Sequence, residues 1–66
     1  MKIDKRKVRI ILAEQGLNQR ALAKKMGVSE AYVSNTISRN YPKIETVENM
    51  ANALGKKVED IVEERK

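Results

Sequence analysis

Residues 19–34, QRALAKKMGVSEAYVS, decide the fold of this 66-residue chain. Ala23 and Gly27 are the small residues that two crossing helices with a tight turn between them require. A side chain larger than Ala23 would wedge the helices apart where they come closest, and Gly27 permits the positive φ of the turn. Asn18 is predicted to cap the first helix and Ser29 the second. The stretch therefore predicts two short helices joined by a three-residue turn.

Apolar residues three and four positions apart predict further helices on both sides of this pair. The apolar stripes comprise Val8, Ile11 and Leu12, then residues 44, 47, 50, 51 and 54, and finally Val58, Ile61 and Val62. No segment alternates with the period of two that is typical of a half-buried strand. We therefore predict an all-α fold, a compact five-helix bundle that forms a single domain over residues 1–66. The predicted helices lie near residues 5–15, 19–26, 30–38, 44–54 and 58–63.

Composition excludes several classes of function. The chain has no cysteine and no histidine, so disulfides, thiolate zinc sites and histidine acid–base chemistry are excluded. The acidic pairs Glu59/Asp60 and Glu63/Glu64 lie on a short terminal segment, and we predict neither an enzyme nor a metal, cofactor or small-molecule site. No apolar run is long enough for a membrane span or for the apolar region of a signal peptide, so we expect a cytoplasmic protein.

Basic charge is concentrated in the amino-terminal part of the chain. The net charge is +5, with 14 Lys and Arg against 9 Asp and Glu. Residues 1–43 hold ten basic and three acidic residues, whereas residues 44–66 hold four and six. This imbalance favours a partner that carries phosphate. Only 3% of the residues are aromatic, too few for a base-stacking platform, which leaves duplex recognition open.

Four motifs agree with one another along the chain. They are Leu-Asn-Gln at residues 17–19, the spacing of Ala23 and Gly27, Val-Ser at residues 28–29, and IETV and MANALG at residues 44–47 and 50–55. Together they resemble the Xre-type helix-turn-helix family of phage repressors, Cro proteins and their bacterial relatives, over nearly the whole chain. The resemblance implies a lambda-repressor-like bundle whose third helix, within residues 29–38, reads the major groove of double-stranded DNA. It also implies a sequence-specific transcriptional regulator, in most cases a repressor, of bacterial, phage or mobile-element origin, acting as a homodimer on a near-palindromic operator.

The resemblance assigns DNA contacts to the third helix and its surroundings. The expected base-reading residues are Ser29, Glu30, Ala31, Ser34 and Asn35. The expected phosphate-contacting residues are Asn18, Gln19, Arg20, Tyr32, Ser38, Arg39, Asn40 and Lys43. Asn35 suits adenine N6 and N7, Ala31 a thymine methyl, and Glu30 cytosine N4. The alternatives are a merely solvated third helix, a simple cap at Asn18 and packing of Tyr32 on the second helix.

The chain departs from the family pattern at two sets of positions. Leu12 and Ile37 stand where relatives frequently place an arginine and a glutamate that pair between helices one and three. Replacing a buried ion pair by packed aliphatic side chains is often neutral or stabilising, so we expect a joint replacement. Lys43 and Lys57 stand where relatives often have a serine cap, and Arg39 where they often have glycine. Weaker caps and greater basic charge are therefore expected.

Two other functions are compatible with the same fold or the same charge. An antitoxin-like or other protein-interaction module would bind protein through the third helix. A nonspecific basic protein would coat nucleic acid, with steep salt dependence and little sequence preference. The acidic carboxyl-terminal half, with the exposed parts of helices four and five, is the expected dimer surface.

Overall fold

Four α-helices make up most of the chain in a computed structural model that describes residues 2–39 and 41–63. The helices are α1 Lys5–Glu14, α2 Gln19–Met26, α3 Glu30–Ser38 and α4 Ile44–Leu54, and a 3₁₀ turn, Val58–Asp60, follows. A three-residue turn, residues 27–29, joins α2 to α3, and α2 packs against both α3 and α4. The predicted bounds of α2, α3 and α4 are confirmed, and α1 ends one residue earlier than predicted.

The first three helices begin at side chains that cap them. Asp4, Asn18 and Ser29 each accept backbone N–H groups two or three residues further along, at 2.8 to 3.3 Å. These caps satisfy amides that have no partner within the helix. Gly27 has a φ of 74°, the left-handed conformation predicted for the turn. Lys43, the residue before α4, provides no side-chain cap, as its departure from the serine pattern predicts.

The core is one cluster of buried apolar side chains from every helix. It comprises Ile3, Val8, Ile11, Leu12, Leu22, Ala23, Met26, Val33, Ile37, Val47, Met50, Ala51, Leu54 and Ile61. Leu12 and Ile37 both belong to it, as expected of a joint apolar replacement. Ile44 was predicted in the core stripe but is 51% exposed. It is the first residue of α4, and because helical side chains lean towards the N-terminus, it projects beyond the core.

The predicted fifth helix, residues 58–63, is wrong. Only a 3₁₀ turn forms, and the chain beyond it pairs with the amino end of the protein. The paired residues, joined by backbone hydrogen bonds of 2.8 Å or by an antiparallel bridge, are Asp4 with Ile61, Lys2 with Glu63, and Ile3 with Val62. Branching at Cβ lowers the helix propensity of valine and isoleucine, so backbone pairing with residues 2–4 prevails over another helical turn. This pairing also explains why Ile3, which no helical stripe includes, is fully buried.

Two side-chain amides fasten α4 to its neighbours. Gln15 Nε2 donates to the carbonyl oxygen of Leu54 at 2.7 Å, and Asn49 Nδ2 donates to that of Met26 at 3.3 Å. Each bond satisfies a carbonyl in the last turn of a helix, where no partner exists within the helix. α4 is thereby held against both α1 and α2. Across the described part of the chain, no helix has the length and apolar character needed to cross a membrane.

Candidate nucleic-acid interface

α3 has one buried face and one exposed face. Val33, Thr36 and Ile37 are its buried residues. Its exposed residues are Glu30, Ala31, Tyr32, Ser34, Asn35 and Ser38. Ala31, Asn35 and Ser38 follow one another at spacings of four and three residues, so they share one side of the helix. The exposed face is therefore continuous, and most of its side chains are small or polar.

The five predicted base-reading residues all lie on this exposed face or at its start. Ser29 precedes the helix, and its Oγ accepts the amide of Tyr32 at 3.1 Å. A hydroxyl has one hydrogen to donate, so this bond leaves the donor of Ser29 for a partner outside the helix. Glu30 lies in the first turn, where the helix dipole favours negative charge. The fold thus brings all five residues together within two helical turns.

The start of α2 offers a second polar surface. Asn18 and Arg20 are exposed and Gln19 is half-buried. The side-chain oxygen of Asn18 accepts the amide of Ala21 at 2.8 Å, and its carbonyl accepts that of Leu22 at 3.0 Å. The amides of Gln19 and Arg20 precede these bonds and point out of the helix end, where a phosphate is favoured. Asn18 is therefore a cap whose neighbours remain suited to phosphate.

A cavity of about 260 Å³ lies where α3 ends and α4 begins. The described residues that line it are Tyr32, Thr36, Arg39, Pro42, Lys43 and Thr46. Two cations and three hydroxyl-bearing side chains therefore surround one opening. Positive charge combined with hydrogen-bond donors is the chemistry that phosphate oxygens require. Of the other predicted phosphate contacts nearby, Ser38 is exposed on the last turn of α3, and Asn40 lies outside the described residues.

The start of α4 differs from the other helix starts. The amides of Thr46 and Val47 donate to the carbonyl oxygen of Lys43 at 3.0 and 3.1 Å. The preceding amides, of Ile44 and Glu45, lie ahead of these bonds, and the side chain of Lys43 supplies no acceptor for them. At the position where a capping side chain would accept these amides, this chain has the positively charged Lys43. The positive end of the helix dipole and the lysine charge therefore act in the same direction.

Tyr32 connects the exposed face of α3 to α4. Its hydroxyl oxygen lies 3.0 Å from Thr46 Oγ1, and its side chain is 44% exposed. The sequence prediction offered a phosphate contact or packing on α2, and it did not include a hydrogen bond to α4. The hydroxyl partner observed on α4 ties the two helices together at the edge of the cavity.

A family model described as helix-turn-helix matches residues 6–61, from the first turn of α1 to the residue after the 3₁₀ turn. The chain belongs to the Cro/C1-type helix-turn-helix family. The resemblance stated from the sequence motifs is thereby confirmed. The protein is a DNA-binding regulator of this type. Comparison with curated proteins gives no match.

Sequence reasoning missed three residues of this Cro/C1-type protein's candidate interface. Thr36, Pro42 and Thr46 line the cavity beside the predicted cations. Thr36 lies on the buried face of α3, and its burial was not predicted because the search for helical spacing used apolar residues only. Thr46 belongs to the IETV motif, and its place in the first turn of α4 was the available signal, because that turn directly follows Lys43, the last of the predicted phosphate contacts. Its hydrogen bond to Tyr32 depends on the angle between two helices, which no local motif encodes.

Proposed function

We propose that this Cro/C1-type protein is a sequence-specific transcriptional repressor that places residues 29–38 in the major groove of double-stranded DNA. The observation that carries the proposal is the division of α3 into a buried apolar face and an exposed polar face. Two further surfaces offer groups suited to phosphate: the polar start of α2, and the cationic cavity where α3 ends and α4 begins. An α-helix fits into the major groove of DNA, and backbone phosphates line both edges of that groove.

Base contacts are assigned to the exposed face of α3. Asn35 lies in the middle of that face, and its side-chain amide can bond adenine N6 and N7 together. Ala31 lies one turn earlier and suits a thymine methyl group. Glu30 accepts from cytosine N4 or disfavours other bases by repulsion. Ser29 and Ser34, both exposed, supply hydroxyl groups that bond either a donor or an acceptor on a base.

Phosphate contacts are assigned to the two flanks of α3. On one flank, Asn18 caps α2, the backbone amides of Gln19 and Arg20 precede the first helical hydrogen bonds, and Arg20 adds one positive charge. On the other flank, Arg39 and Lys43 border the cavity at the start of α4. The exposed hydroxyl group of Ser38 lies on the last turn of α3, next to this second flank. Contacts on both sides of a groove fix the depth and direction of the helix within it, while the bases supply the specificity.

Regulation follows from occupancy of the operator. We propose that two copies bind a near-palindromic site, with half-sites one helical turn apart, roughly 34 Å. The copies would meet through the exposed parts of α4 and the 3₁₀ turn, which carry most of the acidic residues in the carboxyl-terminal half.

Selection of bound duplexes from a random pool tests the proposal. The expected result is a near-palindromic consensus whose two halves are about ten base pairs apart. Duplexes that bind without enrichment of any sequence would support a nonspecific coat. A protein that retains no duplex would favour the protein-interaction module. Repeating the binding step at several salt concentrations separates the specific component from the general attraction to phosphate.

A further inference from the structure

Tyr32 lies in a chain of hydrogen bonds that runs from the start of α3 to the start of α4. Its amide donates to Ser29 Oγ at 3.1 Å, and its hydroxyl bonds Thr46 Oγ1 at 3.0 Å. The amide of Thr46 donates in turn to the carbonyl oxygen of Lys43 at 3.0 Å. Through its backbone amide and its hydroxyl, Tyr32 therefore links Ser29, the capping residue of α3, to Thr46, whose own amide bonds Lys43, the residue before α4.

The link bears on the conformation of the first turn of α4, because that helix begins without a side-chain cap. Residues 39–43 connect α3 to α4, and an uncapped first turn is the part of a helix that frays most readily. A hydrogen bond at Thr46 restrains that turn from outside the helix. It also restrains Lys43, whose carbonyl accepts the Thr46 amide. The backbone from which the Lys43 side chain extends is thus connected to α3 through Tyr32 and Thr46.

We infer that Tyr32 is a positioning residue for DNA binding, whose hydrogen bond to Thr46 holds the Lys43 phosphate contact in register with the base-reading face of α3. The inference rests on the proposed function. A direct phosphate contact by Tyr32 would not need Thr46. In the positioning role, DNA binding depends on the Thr46 hydroxyl as much as on the Tyr32 hydroxyl, because the two form one hydrogen bond. The hydroxyl of Tyr32 acts on the DNA through α4.

The test uses Tyr32→Phe, Thr46→Val and the double variant on a duplex recovered by selection. Each single change removes one end of the hydrogen bond and keeps the side-chain shape. Each is expected to weaken binding about three- to tenfold, and the double variant is expected to bind no more weakly than either single one. In the Tyr32→Phe background, Lys43→Ala is expected to cost less than in the wild-type chain. Tyr41→Phe controls for the loss of a tyrosine hydroxyl in the exchange measurement below and not for DNA affinity, because Tyr41, 83% exposed, lies between the proposed phosphate contacts Arg39 and Lys43.

A second readout needs no DNA. Hydrogen exchange at the amides of Thr46 and Val47, which bond the carbonyl of Lys43, is expected to speed up in Tyr32→Phe and in Thr46→Val. The same amides are expected to be unchanged in Tyr41→Phe. Faster exchange that is confined to the start of α4 would exclude a general loss of stability as the cause of weaker binding.

Three results would overturn the inference in distinguishable ways. If Tyr32→Phe weakens binding while Thr46→Val does not, the hydroxyl contacts the phosphate directly. If both variants bind and exchange like the wild type, the bond positions nothing. If the wild-type chain itself binds no duplex, the proposed function fails and the positioning role fails with it.

Discussion

The two faces of α3, a helix of nine residues, differ in their surroundings: one is buried in the protein and the other is exposed to solvent. Val33, Thr36 and Ile37, all at most 5% exposed, face the protein, whereas Ser34 and Asn35, directly between them in sequence, face solvent. The buried face contributes the apolar contacts that hold α3 against the bundle. Apart from Tyr32, whose hydroxyl bonds Thr46, the exposed face contributes little to folding, since surface substitutions usually change stability by about 0.5 kcal/mol or less. Stability and DNA recognition should therefore be separable by mutation within one helix.

The largest effect is expected on the buried side. Leu12→Arg places a charge in the core cluster, and leaving a buried charge without its partner costs about 3–5 kcal/mol. That loss is comparable to the whole stability of a small single-core domain. Adding Ile37→Glu should restore much of it, because it recreates the pair that relatives of the family frequently carry. Denaturant titration of the four chains of the double-mutant cycle measures the coupling.

This cycle has a clear contrary outcome. If the losses from Leu12→Arg and Ile37→Glu simply add, the two side chains do not interact, and the joint replacement is wrong. If the double variant regains folding but loses DNA binding, the two faces are less separable than the burial pattern indicates. Circular dichroism of each variant establishes whether the chain is folded before either comparison is made.

A smaller effect is expected on the exposed side. Asn35→Ala should weaken binding to the selected duplex by about 1–3 kcal/mol and relax the preference at one base pair in each half-site. Its free energy of unfolding should remain within about 0.5 kcal/mol of the wild-type value. Asn52→Ala, which removes an exposed asparagine side chain from α4, is the control for the free energy of unfolding only, because the exposed part of α4 belongs to the proposed dimer surface. Equal losses on every duplex sequence would refute the assignment of Asn35 to a base.

The smallest effect is expected at the flank. Lys43→Ala should weaken all duplex sequences alike and reduce the slope of log affinity against log salt by about one. Lys56→Ala is the control and should leave the slope unchanged. It removes the same charge from a different cleft of the protein, which is also lined by Lys7, Ile10, Ile11 and Asp60. Titrations at four or more salt concentrations give both slopes. A slope that falls equally in the two variants would mean that Lys43 acts only through net charge.

Local signals were sufficient to predict most of the fold. Capping residues such as Asn18 and Ser29, and a glycine such as Gly27, act on the backbone next to them, so their effects can be predicted from the sequence. The buried residues of α4 were also predicted from their helical spacing, except at Ile44. That residue has the spacing of the stripe but is exposed, because it is the first residue of the helix. The α3 surface followed from the same periodicity, because the residues that do not face the core must face solvent.

Contacts between distant segments could not be predicted. Backbone pairing of residues 2–4 with residues 61–63 replaced the expected fifth helix. The paired residues are 57 to 61 positions apart, so they leave no local pattern in the sequence. The bond between Tyr32 and Thr46 likewise depends on how α3 and α4 pack. The sequence therefore predicted which residues of α3 are exposed, and the structure identified a hydrogen bond from one of them to α4.

A cleaving reagent attached to α3 tests most directly whether this helix lies in the major groove. The natural chain has no cysteine, so Ser34→Cys and Ala13→Cys each provide one attachment point for a DNA-cleaving iron chelate. Ser34 lies on the exposed face of α3, whereas Ala13 is exposed on α1 and has no part in the proposed DNA contacts or dimer surface. On the selected duplex, we expect cleavage at defined positions in each half-site from Ser34→Cys, in the pattern of a reagent within the major groove, and only weak cleavage from Ala13→Cys. Equal cleavage from both variants, or cleavage spread evenly along the duplex, would mean that α3 does not lie in the groove.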